Sequence, residues 1–212
     1  MFTGSVQEQF QDLEQQTHAA ELGMWAFMAS EVLFFSGLFA LFAAYRLEYG
    51  QTFLEAAKHT DLALGTANTF ILLTSSLLVV LSIHGARNGW SSRTVVRLLA
   101  GTIVLGVVFL VLKFTEYAHH FREGLMPGQY YANAEMPERG ARIFFTLYYA
   151  MTGIHAVHVT IGLILMIWML MLARRGRLTP EYHTPLELSG IYWHFVDIVW
   201  VFLWPLFYLM RA

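Results

Sequence analysis

Residues 142–173 read RIFFTLYYAMTGIHAVHVTIGLILMIWMLMLA, with no Lys, Asp or Glu and no Arg after Arg142. As an α-helix this run extends about 48 Å at 1.5 Å per residue, against a hydrocarbon core of about 30 Å. It therefore reads as a transmembrane helix that projects beyond the membrane. Four more runs are long and apolar enough to cross: residues 21–45, 61–84, 94–118 and 186–210. Polar stretches with turn residues separate them: Glu48-Tyr49-Gly50, Gly85 to Ser92, a loop with Pro127 and Pro137, and Gly176 to Pro185. None is long enough for a folded domain, and no internal repeat is visible. The expectation is an all-α polytopic membrane protein, a five-transmembrane-helix bundle over residues 21–212 after a polar segment 1–20.

Composition agrees. Hydrophobic residues make up 57% of the chain and charged residues 13%, the latter about half the usual share in soluble domains. That much apolar surface needs lipid as part of its solvent. A net charge of −2 gives no footprint for nucleic acid, and the one basic run is Arg174-Arg175-Gly176-Arg177. Cysteine is absent, which excludes disulfides, thiolate metal sites, iron–sulfur clusters and covalent c-type haem. Residues 1–20 lack the basic start and apolar core of a signal peptide. Five spans put the termini on opposite sides. Arg87, Arg93, Arg97, Arg174, Arg175 and Arg177 fall in or beside two short loops, while Arg46, Lys58, Arg122, Arg139, Arg142 and Arg211 spread over longer ones. The positive-inside rule then places the N-terminus in the cytoplasm and the C-terminus outside.

The informative residues are polar ones where lipid should be. Glu31 lies near the middle of the first span, where a carboxylate costs roughly 2.5–3.5 kcal/mol on insertion scales and needs a partner or a proton. His155 and His158 are three apart in the fourth span and share a face, which Gly162 continues and opens to a neighbouring backbone. His194 and Asp197 repeat that spacing in the fifth span and read as an internally satisfied pair. Lys113 and Glu116 do so near the end of the third. Imidazoles are common metal and haem ligands, but haem across a bundle wants a second histidine at similar depth on a facing helix. A di-iron site wants several Glu with Glu-x-x-His pairs. Neither pattern is here, so interhelical hydrogen bonding is the better reading. Trp193, Trp200 and Trp204 read as packing and interfacial anchors.

Taken in order, these motifs resemble subunit III of the haem–copper oxidases, the respiratory cytochrome c and quinol oxidases. The resemblance runs from Gly23 to Met210. It rests on Ser30-Glu31-x-x-Phe34-Phe35, on Asn68-Thr69 with Ser75-Ser76, and on Lys113-x-x-Glu116-Tyr117. Thr152-Gly153-x-His155-x-x-His158 and Tyr192-Trp193-His194-Phe195-Val196-Asp197 complete it. The resemblance implies a non-catalytic subunit with no catalytic residue, metal or redox cofactor of its own, beside catalytic subunit I, which carries haem and copper. Subunit II and small subunits are implied in the same complex, in a bacterial cytoplasmic (inner) membrane. It further implies bound phospholipid in a cleft and support of proton uptake. Glu31 then matches the family's buried acid near the proton-entry side, as a proton antenna or a structural acid. His155 and His158 match the histidines in the family's packing core, and His155, His158, His194, Asp197, Lys113 and Glu116 are expected to form a buried hydrogen-bond network with lipid contacts. Longer members have two extra N-terminal helices that wall the cleft, and this chain begins after them.

Other readings stay open. Tyr192-Trp-His-Phe-Val-Asp looks closer to the cytochrome c oxidase branch, yet quinol oxidases and nitric oxide reductases also have five-helix relatives. A free-standing proton-coupled transporter using Glu31, His155 and Asp197 is a further class, although the inverted repeat and paired broken helices of many transporters are missing.

Overall fold

The computed structural model describes residues 8–133, 139–180 and 182–210. Residues 1–7 of the polar segment, Pro137 and Arg211 lie outside them. Six α-helices follow in order: α1 Leu13–Glu48, α2 Gly50–Ala57, α3 Leu62–Arg87, α4 Ser92–Arg122, α5 Arg139–Arg174 and α6 Thr184–Trp204. A single wide π-helical turn, Pro205–Leu209, continues α6. All but the short α2 are long and apolar enough to cross a membrane.

The helix ends follow from local chemistry. The Asp12 carboxylate accepts from Gln15 N at 2.7 Å, so α1 begins within the polar segment 1–20, ahead of the expected first span. Asp61 caps α3 by accepting from Ala63 N and Leu64 N. Gly89, Gly124 and Gly176, with φ of 66°, 72° and 63°, close α3, α4 and α5. After each, the next amide reaches back to the last turn: Trp90 N to Gly85 O, Leu125 N to His120 O and Arg177 N to Leu172 O. Only a residue free to adopt the left-handed conformation closes a helix that way without strain.

α3 and α4 form a tight antiparallel hairpin, α5 packs on α4, and α6 closes the ring against α5 and α3. α1 lies outside this ring, touching α6 and α5, with α2 tucked beneath it against α5. Its core contribution is a narrow stripe: Met28, Phe35 and Phe42 are buried. That seven-residue spacing returns to one face every two turns. Met24, Leu38, Phe39 and Tyr45 flank the stripe partly buried, and the opposite face is bare, with Leu33 74% exposed and Ala29, Ser36, Gly37 and Ala40 all facing outward.

Trp193 of α6 is the keystone of the ring. Its indole N–H donates to Ser75 Oγ of α3 at 3.1 Å. A Cβ on Gly106 of α4 would meet the indole at 2.9 Å, and one on Gly162 of α5 at 2.8 Å. Gly162 thus admits a side chain from α6 rather than the close backbone its small size suggests. Two turns further on, Trp200 donates to Thr69 Oγ1 at 3.1 Å and meets Phe109 edge-on at 4.8 Å. Trp193 and Trp200 are core residues, fully buried. The wide turn at Pro205 swings Tyr208 inward over Gly65, where a Cβ would lie 2.7 Å from its ring. Thr60 Oγ1 lies 2.9 Å from Phe207 O, giving that carbonyl a donor from outside the helix.

Candidate functional site

Glu31 sits near the midpoint of α1 and turns toward α5. Its Oε2 is 3.1 Å from His158 Nε2, with side-chain exposures of 18% and 14%. The other ring nitrogen, Nδ1, lies 2.9 Å from Ile154 O. A carbonyl can only accept, so Nδ1 carries a hydrogen. One proton then bridges Nε2 and the carboxyl, either as an acid donating to neutral imidazole or as imidazolium donating to carboxylate. Phe35 packs edge-on against the imidazole at 5.3 Å, and Tyr192 donates to His158 O at 3.1 Å. The pairing expected from the insertion cost of Glu31 is present. α4, the third span, packs on the far side of the ring from α1, against α3 and α5.

His155 parts company with His158. It is buried, stacks on Trp200 at 5.2 Å and meets Phe109 edge-on at 5.7 Å. Neither ring nitrogen has a hydrogen-bond partner among the described residues. Its contribution is aromatic packing, so it is not a member of a hydrogen-bond network. The His194–Asp197 pair is also corrected. His194 Nδ1 is 2.5 Å from Ser76 Oγ of α3, and neither carboxyl oxygen of Asp197 has a partner of hydrogen-bonding geometry among the described residues. Three residues along α6 bring the two onto one side, but Ser76 reaches the imidazole first.

Lys113 and Glu116 form the densest polar cluster, each 2% exposed. The ammonium reaches Glu116 Oε2 at 2.9 Å, Tyr148 Oη at 2.7 Å and Tyr208 Oη at 2.5 Å. Its three N–H groups match three acceptors. Tyr208 donates onward to Glu116 at 2.9 Å. The ammonium also lies 4.5 Å from the Tyr148 ring centroid, a cation–π contact strengthened by desolvation. Beside it, Tyr117 bonds Thr152 Oγ1 at 2.6 Å, and the Thr152 hydroxyl donates to Tyr148 O. The i, i+3 pair was visible in the sequence; its two tyrosine partners were not. At the opposite end of the bundle, Glu187 binds Arg87 and His183, and Ser92 Oγ donates to Ala173 O. No three His, Asp or Glu side chains among the described residues stand close enough together to hold a metal ion.

A ring of four spanning helices, a fifth laid on its flank and a carboxyl–imidazole pair in the seam make this a five-helix membrane-spanning bundle. The chain belongs to the cytochrome c oxidase subunit III family, whose model matches residues 9–211. It is 30% identical over 189 residues to quinol oxidase subunit 3 of Bacillus subtilis, covering 89% of this chain and 86% of that one. Cytochrome c oxidase subunit 3 of Corynebacterium diphtheriae is 30% identical over 192 residues, covering 90% and 87%. Probable quinol oxidase subunit 3 of Staphylococcus aureus is 32% identical over 209 residues, covering 93% and 94%.

Proposed function

We propose that this chain is the non-catalytic subunit III of a bacterial respiratory cytochrome c oxidase, supporting proton uptake, lipid binding and the integrity of catalytic subunit I. In this reading it sits in the cytoplasmic membrane, N-terminus inside and C-terminus in the periplasm. The bare face of α1 docks on subunit I, with subunit II and small subunits nearby; haem and copper belong to those partners. The observation that carries the role is the Glu31–His158 pair. It holds one exchangeable proton in a half-sheltered seam, on the helix with the most uncovered surface. Glutamine at position 31 can still donate to His158 Nε2 but cannot release that proton. Glu31→Gln is therefore expected to lower oxygen consumption chiefly above neutral pH, where bulk protons are scarce. Glu31→Ala is expected also to loosen attachment of the subunit. Steady-state oxygen consumption against pH, with subunit stoichiometry read by gel, is the assay. Superimposable profiles with full subunit retention would leave Glu31 a structural acid.

The names of the Bacillus and Staphylococcus relatives favour a second reading, a quinol oxidase. The purified assembly supplied with reduced cytochrome c or with quinol decides between the two by which donor sustains turnover.

A further inference from the structure

His194 lies ten residues into the 26-residue span Thr184–Leu209, about 15 Å along a helix of about 39 Å. Headgroups and bulk water do not reach that depth. Ser76 of α3 engages its Nδ1 at 2.5 Å. Nε2 has no partner among the described residues, and it is not an enclosed atom like the two nitrogens of His155. A ring nitrogen donates when protonated and accepts when not, so Nε2 needs a partner in either tautomer. Asp197, one turn on, is buried at 4% exposure, which leaves the imidazole as the polar group of this surface. The surface itself is a trough. Phe39 of α1 meets Phe202 at 6.1 Å on one side of α6, and Ser76 of α3 meets His194 on the other. α1 and α3 do not pack on one another, so the strip of α6 between them is uncovered, with Ile198 54% exposed. Leu73 and Leu77 of α3 form one exposed wall and Val32 of α1 the other. With each neighbouring axis about 8–10 Å from α6, the trough is about one helix wide.

We propose that this trough seats one transmembrane helix of another subunit, which brings a hydroxyl or carboxamide side chain to His194 Nε2 at mid-membrane. An acyl chain covers the apolar walls equally well but offers no hydrogen bond, and a polar group left unpaired in hydrocarbon is costly. Hydroxyls and carboxamides both donate and accept, so either tautomer of His194 is answered without a buried charge. A lone segment at this depth must satisfy its own backbone, which a helix does. The trough is distinct from the outward face of α1 that docks on subunit I in the role above, since that face is turned away from α6. The proposal rests on the chain being one subunit of a membrane assembly, as its family implies, and needs neither the Glu31 proton nor a particular electron donor.

The test uses the intact assembly in its native membrane, with the photoreactive residue benzoylphenylalanine placed at position 77 or 198 and the cross-linked peptides identified by mass spectrometry. Both positions are expected to capture the same apolar transmembrane peptide of another subunit, carrying Ser, Thr, Asn or Gln within its apolar run. His194→Phe is expected to lower that yield about threefold or more, the worth of one interhelical hydrogen bond in a membrane. His194→Gln keeps a hydrogen-bonding group on the strip and is expected to hold the yield, which separates the lost bond from disturbed packing. Glu31→Gln is expected to leave the cross-link unchanged while altering the pH profile of turnover, so failure of one proposal is readable apart from failure of the other. Lipid adducts alone at both positions, or capture of a second copy of this chain, would overturn the proposal. So would a yield that is the same in wild type and His194→Phe.

Discussion

Glu116→Ala is expected to destabilise the chain by about 3–5 kcal/mol, the range for removing one partner of a buried ion pair. The carboxylate holds the Lys113 ammonium at 2.9 Å and receives the Tyr208 hydroxyl. Removing it strands a cation whose side chain is 2% exposed. The tyrosine oxygens and the ring faces around Lys113 soften the loss without replacing the charge. The same substitution releases the tie between α4 and the C-terminal turn, since Tyr208 reaches across 92 residues of sequence to Glu116. Lys113→Met combined with Glu116→Leu should be far milder, because no unpaired charge remains. Thermal unfolding of the detergent-solubilised chain, with its retention in the oxidase assembly, measures both. If Glu116→Ala melts with wild type, or the double variant falls as far as the single one, the ion pair is not what holds this end together.

How far the sequence revealed this arrangement depended on the kind of signal. Glu31 was legible because a carboxylate in lipid demands a partner, and few polar groups at its depth could answer. His158 does so at 3.1 Å. The same reasoning over-reached at His155 and Asp197. Periodicity shows which residues share a face of one helix but not what the facing helix presents. At His155 the facing group is the Trp200 ring. At His194 the nearer group is Ser76, from a helix more than a hundred residues away in sequence. Lys113 and Glu116 were visible as a local pair, yet Tyr148 and Tyr208 lie 35 and 95 residues from Lys113. Tyr208 is delivered by a π-helical turn that no periodicity announces. α2 was hidden for another reason: eight residues are too few to show a helical repeat against a polar background.

The centre of the ring supplies the other large effect, at a glycine. Gly162→Val places a branched side chain where a single Cβ would already lie 2.8 Å from Trp193 Cε3 and 3.0 Å from Cζ3. The indole cannot withdraw toward α4, because Gly106 leaves it just enough room there. A Cβ at that position would stand 2.9 Å from Trp193 Cη2. Nor can it rotate freely, since its N–H is committed to Ser75 Oγ at 3.1 Å. Either α5 moves off α6 or the indole gives up its hydrogen bond. Overpacking costs about 1–3 kcal/mol, and the lost bond about 1 kcal/mol more. Gly153→Val on the same helix is the control, for a Cβ there meets nothing within 4 Å. It carries the same change in helix propensity without the clash. Thermal unfolding should separate the two variants by several degrees, with a shifted tryptophan emission only for Gly162→Val. Pairing Gly162→Ala with Trp193→Phe should recover part of the loss suffered by Gly162→Ala alone, since a smaller ring vacates the contested space. Equal melting of Gly162→Val and Gly153→Val would mean that the indole does not set the spacing of α4, α5 and α6.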